Sequence, residues 1–286
     1  MEFLCNICGH PNRSSQQQMD RERPSCQHCG SNVRTRGLVH ALAMELFGEP
    51  ITLPEFPILK SMRALGMSDS HYYAEWLARR FDYRNTFFDR PPRFDITNPP
   101  QDELGKYDFL ISSEVFEHVS PPVDAAFGNA FRLLKRAGFL LLTVPYTTDS
   151  PGSEHFPELH EFGVARIGER PVLVNRTASG QLQVFDDVVF HRGVSGESLE
   201  MREFSQTCLT ASLHSAGFRD IRIYSEDYAP FGIVNANGWS LPIVAHKEPF
   251  SLDTEATREI VEQWCRHMKR LRQNFWFRVG DRLGLL

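Results

Sequence analysis

The chain has 286 residues, 41% hydrophobic and 23% charged, with a formal net charge of -5; this is an ordinary water-soluble balance with room for one sizeable core plus attachments. No apolar run approaches the ~20 residues that cross a bilayer, and the start MEFLCNICGH lacks the basic-then-apolar pattern of a secretion signal, so a cytoplasmic protein is expected. The acidic balance argues against a chain whose chief partner is a nucleic acid backbone.

The first chemical signal is Cys5-x2-Cys8 and Cys26-x2-Cys29, each pair closed by a glycine, Gly9 and Gly30. Two such turns aim four thiolates at one point, which suits tetrahedral Zn²⁺ in a closed, structural site. Disulfides are the alternative, disfavoured without an export signal. Residues 1–33 are thus read as a four-cysteine zinc module, similar to a zinc ribbon, with 12–23 as a mobile, glutamine-rich finger and His10 and His28 as surface residues. Cys208 and Cys265, isolated in helical patterns, are expected to be buried.

Residues 34–47 carry Leu38, Leu42, Leu46 and Phe47 at helical spacing before Gly48, and the proline-rich stretch 49–57 reads as a connector, so 34–57 is helix and linker. The segment 62–70, MRALGMSDS, precedes a helix with Tyr73, Trp76, Leu77 and Phe81 on one face, for which Asp69 or Ser68 is the expected cap. A strand over 83–88 ends at Asp89, and a turn Phe94-Asp95-Ile96-Thr97 follows. Residues 107–112 form an apolar run suited to a strand buried on both faces. A helix over 123–134, opened by Pro121 and Pro122 and closed by Arg136-Ala137-Gly138, leads to a strand over 139–144 stopped by Pro145. That is one βαβ unit, whose right-handed crossover makes its strands parallel neighbours.

The run Ser113-Glu114-Val115-Phe116-Glu117-His118-Val119 after a buried strand, then a helix and LLKRAGFLLLTVP, resembles the second half of a class I S-adenosylmethionine (SAM)-dependent methyltransferase. The match is dense over 107–146 and looser over 63–247. It implies an α/β fold with a Rossmann-like, mostly parallel sheet and helices on both faces, occupying residues 58–250. It also implies cofactor contacts at Gly66, Ser68 and Asp69 in the turn after the first strand, and at Asp89, a surface loop residue on the blander view, on the ribose hydroxyls. Asp95 and Ile96 would meet the adenine, and Ser113 and Glu114 would line the end of the central strand. The chain departs from the family in having one glycine at 62–70 where two or three are common. Because the Cβ of serine disfavours positive φ, a different loop geometry is expected there. The helix usual between Asp89 and Phe94 is missing, and His118 either touches ligand or fixes its loop.

The insertion 147–197 is expected to build the substrate site. Its segment GSEHFPELHE, 152–161, sets Glu154, His155, His160 and Glu161 after the carboxyl end of a strand, where open α/β sheets bind ligands. A hairpin over 172–175 and 182–185 follows, and Val188-Val189-Phe190 delivers His191. The closing pattern is a helix over 204–216 with Gly217, then strands over 218–224 and 241–246. In the tail 251–286, a helix to about residue 278 places Ile260, Trp264, Met268, Leu271 and Phe275 on one face and Arg266, Lys269, Arg270 and Arg272 on the rest. It packs on its own domain, on a second subunit as a homodimer, or on an acidic membrane surface.

The implied chemistry is methyl transfer to a small-molecule acceptor, a sugar or other polar hydroxyl, which loses its proton as it attacks. His155 is the first candidate base and His191 the second, with His160 in the same group and Glu154 or Glu161 orienting the imidazole. Mg²⁺ held by these acids and histidines is the rival device. Two other readings stay open. One is a zinc-ribbon RNA methyltransferase gripping phosphates with Arg13, Arg21, Arg23, Arg34 and Arg36; the other is a methyltransferase-like scaffold without cofactor.

Overall fold

The structure, a computed structural model, describes residues 1–15, 19–193, 196–235 and 238–273. Phe275, and the side chains of Leu271 and Arg272, lie outside the described residues. Strands β1 (Glu2–Leu4) and β2 (Pro11–Arg13) pair as a hairpin in the cysteine module. Helix α1 (Val33–Phe47) is opened by a reciprocal cap between Asn32 and Thr35 and closed by Gly48 at φ 69. Then come β3 (Leu59–Met67), α2 (His71–Arg80), β4 (Phe81–Thr86), β5 (Tyr107–Ser113), α3 (Asp124–Leu133) and β6 (Leu134–Thr143). The insertion holds β7 (Tyr146–Thr147), β8 (Ser153–Glu154), β9 (Glu161–Ile167), β10 (Arg170–Arg176), β11 (Leu182–Phe185), β12 (Phe190–Gly193) and β13 (Gly196–Leu199). The chain closes with β14 (Arg202–Ser205), α4 (Gln206–Ala216), β15 (Asp220–Ile223), β16 (Ile243–His246) and α5 (Thr254–Gln273).

The main sheet has the order β15-β16-β6-β5-β3-β4. Strands β4, β3, β5 and β6 run parallel, while β16 is antiparallel to both neighbours. Alternation along the strands splits the core into two layers. Ala64, Phe109, Ile111, Phe139, Leu141 and Val244 face one way, packed with α1, α2 and the start of α5. Leu65, Leu110, Leu140, Leu142 and Ala245 face the other way, packed with α3 and α4. Helices therefore cover both faces. Phe3, Cys5, Ile7, Met19 and Cys26 of the cysteine module belong to the first layer, so the module shares the core of the main sheet.

Several local expectations change. Helix α3 starts at Asp124, after the cis Pro121–Pro122 bond, and ends at Leu133, so Gly138 lies inside β6 and caps nothing. Its role is a close approach: a Cβ there would stand 3.0 Å from the carbonyl oxygens of both Tyr107 and Asp108. Ser70, not Asp69 or Ser68, caps α2. Residues 87–93 form a bend without a helix, closed by a Phe87–Arg93 bridge. Cys208 and Cys265 are exposed. The hairpin of the insertion gains a third strand, β9, which pairs with β10 along its whole length. Helix α5 packs on β3, where Glu259 accepts from Ser61 Oγ at 2.8 Å, but Trp264, placed by sequence on the packed face, is 61% exposed. No helix among the described residues is long and apolar enough to cross a membrane.

Candidate active site

The four cysteines of the module converge, with all their Sγ atoms within 4.8 Å of one another. Cys5 to Cys29 and Cys8 to Cys26 are each 3.7 Å, close to the edge of about 3.8 Å that a tetrahedron with Zn–S of about 2.3 Å requires. Both knuckles are built alike: Gly9 N–H donates to the Cys5 carbonyl and Gly30 N–H to the Cys26 carbonyl, with both glycines at φ 76. Burial pushes the Cys8 thiol up to about 12. The donor set and its geometry fit a closed tetrahedral metal site.

The sheet order sets a second site. From β3 the chain moves outward to β4, then crosses back to β5 and β6 on the other side, so the order reverses between β3 and β5. Open α/β sheets bind ligands at the carboxyl ends of such a strand pair. Ser68 follows β3 at φ 55 and Glu114 follows β5 at φ 57. Left-handed backbone at two side-chain-bearing residues costs roughly 1–3 kcal/mol each and concentrates at functional sites. The expectation that serine avoids positive φ is thus overturned at Ser68. Its turn is held by Ser68 N–H to the Thr86 carbonyl at 2.7 Å and by Asn85, which bonds both the N–H and the carbonyl of Asp69.

The anticipated cofactor residues are not equally free. Asp69 is buried, accepting from Tyr73 Oη at 2.8 Å and Tyr83 Oη at 2.5 Å, and burial pushes its carboxyl up to about 7. Its Oδ2 and the Tyr83 hydroxyl roof Gly66, where a Cβ would stand 2.2 and 2.0 Å from them. Asp89 is exposed. Asp95 Oδ1 accepts from the N–H and Oγ1 of Thr97, and Asn129 of α3 donates to the Ile96 and Thr97 carbonyls, so this turn is locked in place. Ser113 bonds Thr143 Oγ1 and Arg34, while Glu114 takes Arg21 Nη2 at 2.8 Å. Burial raises the Glu114 carboxyl, but Arg21 and Arg34 outweigh it and hold it below the ordinary range.

Next to Glu114, Glu117 is 1% exposed, and among the described residues neither of its carboxylate oxygens has a hydrogen-bond partner. Burial and then the charge of Glu114 push its carboxyl well above the ordinary range. His118 Nδ1 lies 2.8 Å from the Leu199 carbonyl, so that nitrogen carries the proton; Nε2 is left as a lone pair 3.7 Å from Glu117 Oε1. Its ring meets His191 edge-on at 5.6 Å. His191 Nε2 lies 2.8 Å from Glu200 Oε2, and His155 Nε2 lies 3.7 Å from Glu200 Oε1. The structure therefore brings His155 and His191 onto one carboxylate.

That carboxylate is Glu200, not Glu154 or Glu161. Glu154 instead grips Arg202, a 2% exposed residue whose Nη1 donates to the Phe116 and Val119 carbonyls and so ties the insertion to the loop after β5. Glu161 is exposed beside Arg176. His160 is exposed, and among the described residues no contact joins its ring to the histidine pair. The Mg²⁺ alternative loses its ligand set, since among the described residues the group with metal-holding geometry is the four cysteines. Three of the five arginines assigned to phosphates serve internal contacts: Arg21 on Glu114, Arg34 on Glu22 and Ser113, and Arg36, fully buried, on the Ser31 and Gly232 carbonyls. The finger is also docked where it is described, for Arg21 Nε donates to the Ser240 carbonyl.

Sequence reading missed Glu200 and Arg202. Both sit in the short segment 198–203, left between the insertion and the next helix. The available signal was Leu199, Met201 and Phe204 alternating with the charges.

No family model and no curated protein matches the chain. Solved structures similar to it include the 1,6-didemethyltoxoflavin-N1-methyltransferase of Burkholderia thailandensis with bound S-adenosylhomocysteine, at 13% identity over 75% of this chain and 77% of that one, TM-score 0.40. CalS10, an amino pentose methyltransferase from Micromonospora echinaspora with bound SAM, shares 14% identity over 77% and 93%, TM-score 0.42. A protein of Listeria monocytogenes described as a SAM-dependent methyltransferase shares 13% over 75% and 99%, TM-score 0.43. At such TM-scores the overlap is loose; what this chain can do is read from its own strand order and side chains.

Proposed function

We propose that this chain is a SAM-dependent methyltransferase of a small polar acceptor, with a sugar or similar hydroxyl as the acceptor class and residues 58–250 as its catalytic part. One observation carries the reading: at the switch point between β3 and β5 lies a buried carboxyl, Glu117, without any donor among the described residues, next to the carboxylate of Glu114. A buried acid in that state calls for a ligand that brings positive charge or donors. SAM brings a sulfonium and an ammonium, the second of which is a donor for such a carboxyl. The turn at Asp95 and Ile96 supports an adenine site, and the four-cysteine cluster supports a structural Zn²⁺.

When bound, SAM supplies an electrophilic methyl whose S–C bond breaks as the acceptor O–C bond forms. The acceptor proton then passes to the Nδ1 of His191 or His155, the ring nitrogen opposite the Nε2 that faces Glu200, and Glu200 stabilises the resulting imidazolium. A second reading, a scaffold without cofactor, is favoured by the Asp69–Tyr83 roof over Gly66, which fills the space where a ligand would meet that glycine. Calorimetric titration of the zinc-loaded chain with S-adenosylhomocysteine separates the two. Micromolar binding that weakens by about 1–3 kcal/mol in Glu117→Gln is expected for the enzyme, and no heat at millimolar ligand leaves the scaffold.

A further inference from the structure

The metal module reaches the candidate ligand site through two arginines. Arg21, five residues before Cys26, forms a bidentate contact with Glu114, with Nη2 at 2.8 Å and Nη1 at 3.4 Å. Arg34, in the first turn of α1, binds Ser113 Oγ and is itself held by Glu22, which accepts its Nε at 2.9 Å and its Nη2 at 2.9 Å. Glu22 also pairs with Arg21. Both arginine side chains are 17% exposed. The two residues they hold, Ser113 and Glu114, are consecutive and end β5, one of the two strands at the switch point. The same arginines line a cavity of about 150 Å³ with Met19, Trp239 and Ser240.

What fixes the arginines is the module itself. Met19 and Cys26 are buried in the core layer shared with α1, and Ser31, beside the last knuckle, accepts from Cys5 Sγ or donates to it at 3.3 Å. Arg34 N–H donates to the Arg21 carbonyl at 3.2 Å, so the loop and the start of α1 move as one piece. Four thiolates this close, two of them buried, repel one another and would not stay gathered without a cation, and the loop between the knuckles would lose its register. Glu114 would then be left beside Glu117 with no counter-charge, and the left-handed turn at Glu114 would lose its clamp.

We propose that the cysteine module is a latch on the ligand site: metal in the knuckles holds Arg21 on Glu114 and Arg34 on Ser113, and these two contacts keep the end of β5 in its ligand-ready form. Arg21 and Arg34 are positioning residues in this account, acting through Glu114 and Ser113. The ligand half of the proposal rests on the SAM reading above; the latch half does not.

Two measurements on the full chain separate them. Hydrogen exchange before and after zinc removal by chelator should show at least tenfold lost protection at residues 112–119, with the amides of 139–143 on the neighbouring strand far less affected. Unchanged exchange at 112–119, or equal loss throughout the sheet, overturns the latch. Titration with S-adenosylhomocysteine should weaken at least tenfold on zinc removal and by a similar factor in Arg21→Ala with its zinc retained. Combining the two changes should add little to either alone. Additive losses, or tighter binding once Glu114 is released, overturn the coupling. Should the zinc-loaded chain bind no S-adenosylhomocysteine, the SAM reading fails and with it the ligand half, while the exchange data still decide the latch.

Discussion

The carboxyl edge of the main sheet is approached by two attachments that are built in opposite ways. The cysteine module has too few residues for a core of its own, yet Phe3, Cys5, Ile7, Met19 and Cys26 are buried in the same layer as Phe109 and Leu141 of the central strands. The insertion has a separate small core of Phe156, Leu173, Leu199 and Met201, and the outer strands of its three-stranded sheet leave Ile167, Leu182 and Val184 at least 60% exposed. One attachment is welded to the fold and the other hangs from it. Its tethers are polar, namely Arg202 on the 116–119 turn and His118 on the Leu199 carbonyl. The contrast implies that the metal module acts on the whole molecule, whereas the insertion opens alone.

The sharpest way to break that contrast is Cys5→Ser. It removes a metal ligand and a fully buried core atom at once, so hydrogen exchange should show more than about 4 kcal/mol of protection lost in the module and at residues 112–119, and urea unfolding a smaller fall of the main transition. A variant whose main transition stays in place would return the module to the status of an independent appendage. Next in size is His191→Ala, which should lower turnover of a methyl acceptor by about 10² to 10⁴ with cofactor affinity kept. Full turnover in His191→Ala, His155→Ala and the double variant would remove the base from the insertion.

Leu173→Ala tests the other side of the contrast. Leu173 is completely buried in the small core, so the change should cost about 2–4 kcal/mol. That cost should appear as faster hydrogen exchange in β9, β10 and β11 only; a matching drop in the main sheet would show that the insertion does not open separately. The smallest effect concerns Asp69. Its folded value of about 7 stands above the ordinary 3.8, so its proton stabilises the fold fully below pH 3.8, and that contribution is lost as pH rises through 7. Across this window the wild type should lose about 1–3 kcal/mol relative to Asp69→Asn, measured as the shift in urea midpoints between pH 4 and 7.5. Parallel curves for the two proteins would refute the protonated bridge.

The legible parts of the molecule are those with local causes. Paired Cys-x2-Cys spacings state a metal geometry within a few residues, and apolar runs such as 109–111 and 139–142 read as strands covered on both faces because they are. Gly138 misleads since a glycine after a helical pattern looks like a cap, while its cause is the approach of the β5 backbone across the sheet. Ser68 misleads because propensity opposes a left-handed serine, and the hydrogen bonds from Thr86 and Asn85 that impose it come from another strand. The docking of Arg21 on Glu114 joins residues 93 positions apart, and no spacing rule reports such a pair. Glu200 is hidden for a different reason: a lone acid between two short strands looks solvated until two histidines from elsewhere close on it.

The roof over Gly66 has a consequence for how this loop can change. A methyl group at 66 collides with the Tyr83 hydroxyl and with Asp69, while Asp69 in turn is kept buried by the hydroxyls of Tyr73 and Tyr83. Neither Gly66 nor Tyr83 can be altered freely while Asp69 stands. Gly66→Ala is blocked until the Tyr83 ring as well as its hydroxyl has given way, since its Cζ would stand 2.8 Å from the new methyl, and Tyr83→Phe strands an acid oxygen until Asp69 has become smaller or neutral. The permitted route therefore runs inward from the acid, Asp69 first, Tyr83 second and Gly66 last, so a library that varies the glycine alone would find position 66 invariant and mistake an order of steps for a fixed requirement.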